Sequence, residues 1–356
     1  MAKTFLGIDI GRDQLKLALV KQNRVIKTVS AAMPVNLLRE GRIVSIESMS
    51  ELLRKTMKEG GIHASQACIV IPNEAVFIKN IEMPLMTVEQ LSYNLPFEFN
   101  DYISGDIKDY VFDYAMLSTP EGQEEADQKN PGLDTVWPEA KEREENENEA
   151  EPETMELMGV AALRSVVEDA QLILQQAGLR MAVAAPAISA FISLIRAQKE
   201  TLSQIAEEYG ILDLGFEAVR MYMFRGDRHV ATRVLEIGLS NLDRVISDIY
   251  SVDVHLAHTY LMSNYENCQA RAECLAAYEN IAVELMRALN FYRFSNRDST
   301  LADLWLCGGG AVISSLSETI GEMLDINLHR AEDLVPEGEK LAECNTFVQA
   351  IGIAMG

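Results

Sequence analysis

Cysteine and positive charge are both scarce in this chain, and each shortage removes a class of function. The five cysteines (Cys68, Cys268, Cys274, Cys307 and Cys344) are scattered over 356 residues with no C-x-x-C pair. That pattern argues against a disulfide framework and fits reduced thiols buried as small apolar residues. Lysine and arginine number 31 against 54 acidic residues, for a net charge of -23. Nucleic-acid binders concentrate basic side chains on one surface, so direct DNA or RNA binding is not expected. No charge-free apolar run approaches the roughly 18 residues of a membrane span, and the N-terminus lacks a signal-peptide apolar core. The expectation is a soluble, non-secreted protein. There is no Walker A loop, Rossmann fingerprint or Gly-x-Ser-x-Gly elbow. Of the five histidines, only His255 and His258 are close, at i and i+3 on a predicted helix. With no intervening Glu and no third ligand they read as surface or structural residues rather than a zinc site.

Almost half of the negative charge is local. Residues 119–156 hold 14 acidic and 3 basic side chains, and such a segment buries too little apolar surface to offset the entropy of ordering. A flexible acidic loop is predicted there, with Trp137 either packed on the body or acting as a docking anchor. The length predicts two lobes of about 150 residues each.

Two stretches organise the rest. Gly7-Ile8-Asp9-Ile10-Gly11 and Ile211-Leu212-Asp213-Leu214-Gly215 each close an apolar run with Asp-x-Gly. A shift of 204 positions superposes Asp9 on Asp213, Gly11 on Gly215, Lys16 on Arg220 and Arg24 on Arg228 without a gap. Alternating runs broken by polar turns predict a three-stranded meander in each copy. A third feature, Leu304 to Cys307 followed by Gly308-Gly309-Gly310, predicts a strand-to-helix turn that brings a ligand close to backbone amides, with Ser314 or Ser315 capping the following helix.

Between the copies, a helix from about Ser50 to Glu59 is predicted, capped by Ser48 or Ser50, and then a buried strand from Ala67 to Ile71. Thr87 caps a helical stretch that Pro96 interrupts. The aromatic residues Tyr93, Phe97, Phe99, Tyr102, Tyr110, Phe112 and Tyr114 form either a satellite core under a three-stranded sheet or a groove for a partner peptide. Strands at 155–162 and 179–184 flank an amphipathic helix from Arg164, stopped by Gly178. Helical stretches then run to Tyr209. Ala270 to Phe294 is read as a long helix with Leu275, Tyr278, Ile281, Ala282, Leu285, Leu289 and Tyr292 on its core face.

Two Asp-x-Gly hairpins followed by strand-Gly-Gly-Gly-helix resemble the two phosphate motifs and the adenosine motif of the actin and sugar-kinase superfamily. Within it the chain is similar to the type IV pilus assembly PilM family, relatives of the division protein FtsA. The resemblance runs over almost the whole chain, through Gly41-Arg42-Ile43-Val44, Ile81-Glu82-Met83-Pro84, Phe112-Asp113-Tyr114, Leu289-Asn290-Phe291-Tyr292-Arg293 and Ala350-Ile351-Gly352. It implies an α/β, actin-like (duplicated RNase H-like) two-lobed fold with an inserted 1C subdomain. The expected divisions are 1–82 for the first lobe (1A) and 83–184 for 1C with the acidic loop at about 119–155. Return helices follow at 185–209, the second lobe with a helical insertion at 210–340, and a C-terminal helix on the first lobe at 341–356.

The resemblance also implies ATP and Mg²⁺ between the lobes, with Gly11, Lys16, Gly215, Gly308, Gly309 and Gly310 as nucleotide-binding candidates. Asp9 and Asp213 either hold Mg²⁺ through water or are hydrogen-bonded strand ends. It implies an adaptor in the cytoplasm, recruited to the inner face of the cytoplasmic membrane only through a partner. That partner is a PilN-like inner-membrane protein, whose cytoplasmic N-terminal peptide it holds, and the pilus assembly ATPase is a further candidate. Tyr93, Phe97 and Tyr102, between the first lobe and 1C, are the candidate peptide contacts.

This sequence departs from the family pattern on the ligand-facing turns. Arg12, Asp13 and Gln14 stand where similar proteins place hydroxyl residues after the first Asp-x-Gly, and Phe216, Glu217 and Ala218 stand after the second. Two carboxylates near a triphosphate oppose its binding unless a cation intervenes. The segment Ala184 to Ser189 offers no Gln or Glu to orient an attacking water, so no catalytic residue is assigned. The expected function is an adaptor with a degenerate nucleotide cleft. The alternatives are a working ATPase or phosphotransferase and a filament-forming FtsA-like protein.

Overall fold

The computed structural model describes residues 3–39, 41–118, 154–336 and 344–356. Trp137 and nearly all of the predicted acidic loop lie outside the described residues. The chain divides into two compact units, Met1–Pro72 with Asp169–Gly356, and Asn73–Glu168.

The first unit opens with the predicted meander, β1 (Thr4–Ile10), β2 (Gln14–Lys21) and β3 (Arg24–Ala32), followed by a small ribbon of β4 (Leu38–Arg39) and β5 (Arg42–Ile43). Helix α1 (Ile46–Glu59) begins earlier than predicted: Ser45, not Ser48 or Ser50, accepts the Ser48 amide at its N-cap. The amphipathic pattern is satisfied by the earlier start, which buries Met49 and Leu53. Strand β6 (Gln66–Ile71) completes this stretch of the first lobe.

The second unit is built on β7 (Val76–Pro84), helix α2 (Val88–Asn94), β8 (Tyr110–Ser118) and β9 (Thr154–Leu163). Thr87 and Gln90 form a reciprocal capping box at the start of α2, and Pro96 falls in a 3-10 turn at Leu95–Phe99, where its missing N–H costs little. The sheet order is β7-β9-β8. Leu91, Leu95, Phe99, Tyr110 and Leu157 form its core, with Phe112 and Tyr114 packed on it. Tyr93, Phe97 and Tyr102 are 69%, 62% and 52% exposed. The two readings of the aromatic set therefore divide it: four rings serve the core and three remain outside it.

Helix α3 (Arg164–Gln176) leads back to the first unit and ends at Gly178, after which come β10 (Arg180–Pro186), α4 (Ala187–Ala197) and α5 (Lys199–Ile205). The second meander is β11 (Glu208–Leu214), β12 (Val219–Arg225) and β13 (Arg228–Leu235). Glu208 and Tyr209, predicted to end a helical stretch, already belong to β11, and both are buried. Then follow α6 (Leu239–Tyr250), α7 (Val254–Ser263), α8 (Ala272–Ser295), β14 (Asp303–Cys307), α9 (Ser314–Leu324), β15 (Asn327–Arg330) and α10 (Cys344–Ile353). On α8 the predicted face is buried from Tyr278 to Tyr292, but Leu275 is 39% exposed, because the buried stripe passes through its neighbour Cys274, four residues before Tyr278. Helix α9 starts without a serine cap, with Ile313 at the N-cap position.

The two lobes of this unit repeat each other strand for strand. The first sheet has the order β10-β6-β1-β2-β3 and the second β13-β12-β11-β14-β15, each an antiparallel meander joined to two parallel strands. Even the irregularity repeats: the register slips between Leu19 and Val20 in β2 and between Met223 and Phe224 in β12, positions related by the same shift of 204. Two helices run between the lobes. Phe191 of α4 tilts onto Tyr222 of β12 with ring centroids 5.0 Å apart. Helix α10 lies so close to β1 that a Cβ on Gly7 would be 1.7 Å from the Ala350 carbonyl oxygen.

Candidate functional site

The register of each meander sets the electrostatics of the cleft. Asp9 is directly opposite Lys16 across β1 and β2, and Asp213 directly opposite Arg220 across β11 and β12. Each Asp at a strand end thus faces a cation fixed by the pairing itself. Lys16 Nζ is 3.4 Å from Asp9 Oδ2, and both side chains are largely buried. Burial works against the charge of Lys16, but Asp9 and then Asp213 outweigh it and hold the ammonium above its ordinary pKa. Asp213 is 6% exposed. Burial pushes its carboxyl pKa up, against the pull of Arg220 and Lys16. Gln349 of α10 donates to its Oδ2 at 2.9 Å. The neighbouring Cys307 thiol is raised well above its usual range, first by burial and then by Asp213, so it is a protonated, inert group.

The glycines are placed by packing. A Cβ on Gly11 would be 3.0 Å from the Gln14 carbonyl oxygen and 3.9 Å from Lys16 Nζ. In the second copy a Cβ on Gly215 would be 2.6 Å from the Ala218 carbonyl oxygen and 3.6 Å from Arg220 Nη1. In both turns the chain folds across its own Gly-x-x-x segment. Gly308, at φ +87, follows β14 so closely that a Cβ would be 2.4 Å from Asp213 Oδ1. Gly309 and Gly310 face Leu239 and Leu214 at 3.2 and 2.8 Å in the same sense. Lys16 of the first lobe, paired with Asp9, also acts on Asp213 of the second lobe, and Gly308 packs against that same carboxylate. The amides that open α6 are turned inward: Leu239 N donates to the Gly215 oxygen at 3.1 Å and Ser240 N to the Phe216 oxygen at 2.8 Å.

The side chains of the two turns meet charges of the opposite sign. Arg12 Nε donates to Glu217 Oε1 at 2.6 Å, joining the first turn to the second. Asp13 Oδ1 is 3.3 Å from His258 Nε2, and His258 Nδ1 is 3.0 Å from Asp243 Oδ2. Hydrogen bonds to Asp13 and then Asp243 raise the imidazole from 6.5 to about 10, overcoming the burial that lowers it. His258 is thus an imidazolium that donates from both nitrogens, with the edge of the Phe216 ring against it at 5.7 Å. Asp13 and Glu217 are equivalent positions under the shift of 204. Each receives a cation from the opposite lobe.

Sequence reasoning identified Asp13 and Glu217 but not their counter-charges, and His258 was set aside as surface or structural. The available signal was Arg12, adjacent to Asp13 and equivalent to Phe216. Among the described residues no group of three or more His, Cys, Asp or Glu side chains is arranged to hold a metal ion. Likewise, among them no helix is long and apolar enough to cross a membrane.

Two five-stranded sheets of identical topology, enclosing a cleft between paired Asp-x-Gly turns, define an actin-like two-lobed protein. The chain belongs to the type IV pilus assembly protein PilM family, whose pattern it matches over residues 7–130 and 143–355. A solved structure of a PilM-PilN type IV pilus biogenesis complex contains a similar chain, with 21% identity and a TM-score of 0.75 over 98% of this chain and 97% of that one. The ethanolamine utilization protein EutJ from Carboxydothermus hydrogenoformans is similar in fold at 13% identity, with a TM-score of 0.58 over 100% of this chain and 89% of that one. No curated protein matches the sequence at a significant level.

Proposed function

We propose that this chain is an adaptor of a type IV pilus or related secretion machine, located in the cytoplasm and drawn to the inner face of the cytoplasmic membrane by its partner. That partner is a PilN-like membrane protein whose short cytoplasmic N-terminal peptide the chain holds. The observation that carries this reading is family membership over nearly the whole sequence, joined by likeness to a chain solved in a complex with PilN. The contact surface we assign is the exposed aromatic group of the second unit. Lys79 lies over the Tyr102 ring at 4.9 Å and pairs with Glu98 at 3.3 Å, which holds Tyr102 beside the turn that carries Phe97. Exposed aromatic rings on a fixed turn supply large apolar area with little entropy to lose on binding.

The nucleotide cleft is degenerate in this reading. A triphosphate with Mg²⁺ does not fit the residues present: Asp9 and Asp213 are already answered by Lys16 and Arg220 across the sheet, the opening amides of α6 bond to the turn, and the hydroxyl donors are replaced by Asp13 and Glu217. No catalytic step is assigned to the chain.

Isothermal titration of the full chain with a synthetic N-terminal peptide of the PilN-like protein tests the adaptor reading. Tyr93→Ala, Phe97→Ala and Tyr102→Ala together are expected to weaken binding by at least about 100-fold, the loss of roughly two aromatic anchors, with no change in melting temperature. Undiminished affinity would move the peptide site elsewhere. Micromolar binding of labelled ATP with Mg²⁺, accompanied by turnover, would overturn the degenerate cleft.

A further inference from the structure

We propose that the two Asp-x-Gly turns clasp each other, so that a reciprocal pair of ion pairs within the chain replaces phosphate as the bridge between the lobes. The inference rests on the reading of the cleft as degenerate, and goes beyond it by giving the replacement side chains a task. The anions that bridge the two turns are the chain's own carboxylates. Glu217 of the second turn accepts from Arg12 of the first, while Asp13 of the first turn faces His258, itself anchored on Asp243 of α6.

Three features make this a device rather than two chance surface pairs. The carboxylates occupy equivalent positions of a duplicated turn and the cations come from opposite lobes, so each pair spans the cleft in the opposite direction to the other. Both turns are braced from behind: Met33 N donates to the Asp13 oxygen at 2.8 Å, and Ser240 N to the Phe216 oxygen at 2.8 Å. The two pairs also differ in their backing. Arg12 and Glu217 are 30% and 44% exposed, and Asp13 is 34% exposed, but His258 is 17% exposed and is held from within its own lobe by Asp243, which is 3% exposed. Salt therefore screens the Arg12–Glu217 pair more than the Asp13–His258–Asp243 chain. The consequence is that the closed arrangement of the two turns is the resting state without any nucleotide, and the lobes do not need a bound ligand to stay in register.

Charge reversal tests it. Hydrogen exchange is followed at the amides of Gly11, Leu239 and Ser240, which report each turn through bonds to Gln14, Gly215 and Phe216. In the full chain without nucleotide, Arg12→Glu and Glu217→Arg are each expected to speed exchange at these amides by about tenfold, because like charges then face each other across the cleft. The double exchange of the two residues is expected to return the rates to within about twofold of the wild type, the signature of a direct coupling. If either single variant destabilises the fold, Glu217→Gln, which keeps the shape and removes the charge, takes its place in the comparison. Unchanged exchange in both single variants, or a double variant no slower than the singles, would overturn the clasp. Nucleotide titration of the wild type is read separately: binding of ATP there refutes the degenerate cleft, while the reversal experiment still decides whether the turns hold each other.

Discussion

Replacing His258 by glutamine removes the one cation that two carboxylates share, and the size of the effect follows from where those carboxylates lie. Asp243 is 3% exposed and 3.0 Å from Nδ1, and Asp13 is 34% exposed and 3.3 Å from Nε2. Glutamine donates from a single nitrogen and carries no charge, so Asp243 is left buried without a counter-charge. Breaking a buried pair costs about 3–5 kcal/mol, and the value expected is about 3 kcal/mol because Asp13 still reaches solvent. In a body of this size that lowers the melting temperature by about 6–12 °C.

The pH dependence gives the sharper test. The imidazole in the folded chain titrates near 10, against 6.5 ordinarily, so between those values the native state holds a proton that the unfolded state has lost. Stability from this group is therefore complete below pH 6.5 and declines as pH rises toward 10, by at most about 1.4 kcal/mol per unit. Urea denaturation of the wild type and His258→Gln across pH 6 to 9.5 is expected to show the largest gap at the acid end and a steady convergence. A gap that stays flat, or widens with pH, would refute the account of His258 as a doubly bonded cation.

Two other predictions concern the frame of the cleft. Gly308→Ala must place a methyl group 2.4 Å from Asp213 Oδ1 at a φ of +87; a loss of about 3 kcal/mol is expected from the strained backbone and crowding together, measured by thermal melting. Glu208→Ala removes a buried carboxylate that accepts from Tyr292, Ser299 and the Thr300 amide and pairs with Arg225 at 3.7 Å. Leaving those donors unanswered is expected to cost about 3–5 kcal/mol in chemical denaturation, and a loss below about 1 kcal/mol would mean that water replaces the carboxylate.

The duplication was legible in the sequence because β-strand register is a local property: once Asp-x-Gly and the following basic residue recur at a fixed shift, the cross-strand partners Asp9–Lys16 and Asp213–Arg220 follow from the hairpin alone. Helix starts were less legible. Ser48 and Ser50 are the caps the sequence suggests, but the helix starts earlier, where Ser45 accepts the Ser48 amide. The exposure of Leu275 was missed for a related reason: helical periodicity allows a step of three or four residues between core positions, and only the packing selects Cys274, four before Tyr278, over Leu275, three before it. The clasp was beyond reach of pattern reasoning. Arg12 and Glu217 are far apart in sequence, as are Asp13 and His258, and nothing in periodicity or spacing couples a turn in one lobe to a helix in the other. The turn residues could be named from the sequence, while their partners required the fold.

The closeness of Gly7 to Ala350 carries a consequence for how the protein is made. Strand β1 leaves the ribosome long before α10, yet β1 is finished on one side only when α10 lies against it. Until then its first sheet exposes the face that carries Gly7, Ala18 and Cys68, of which Ala18 and Cys68 are buried in the completed chain. The second lobe, contiguous in sequence from β11 to β15, also meets α10, through Gly308 N to the Asn345 oxygen and Gln349 to Asp213, but it is made shortly before that helix. The half of the molecule translated first thus waits longest for its covering helix, and its unfinished face is the stretch most in need of chaperone cover during synthesis.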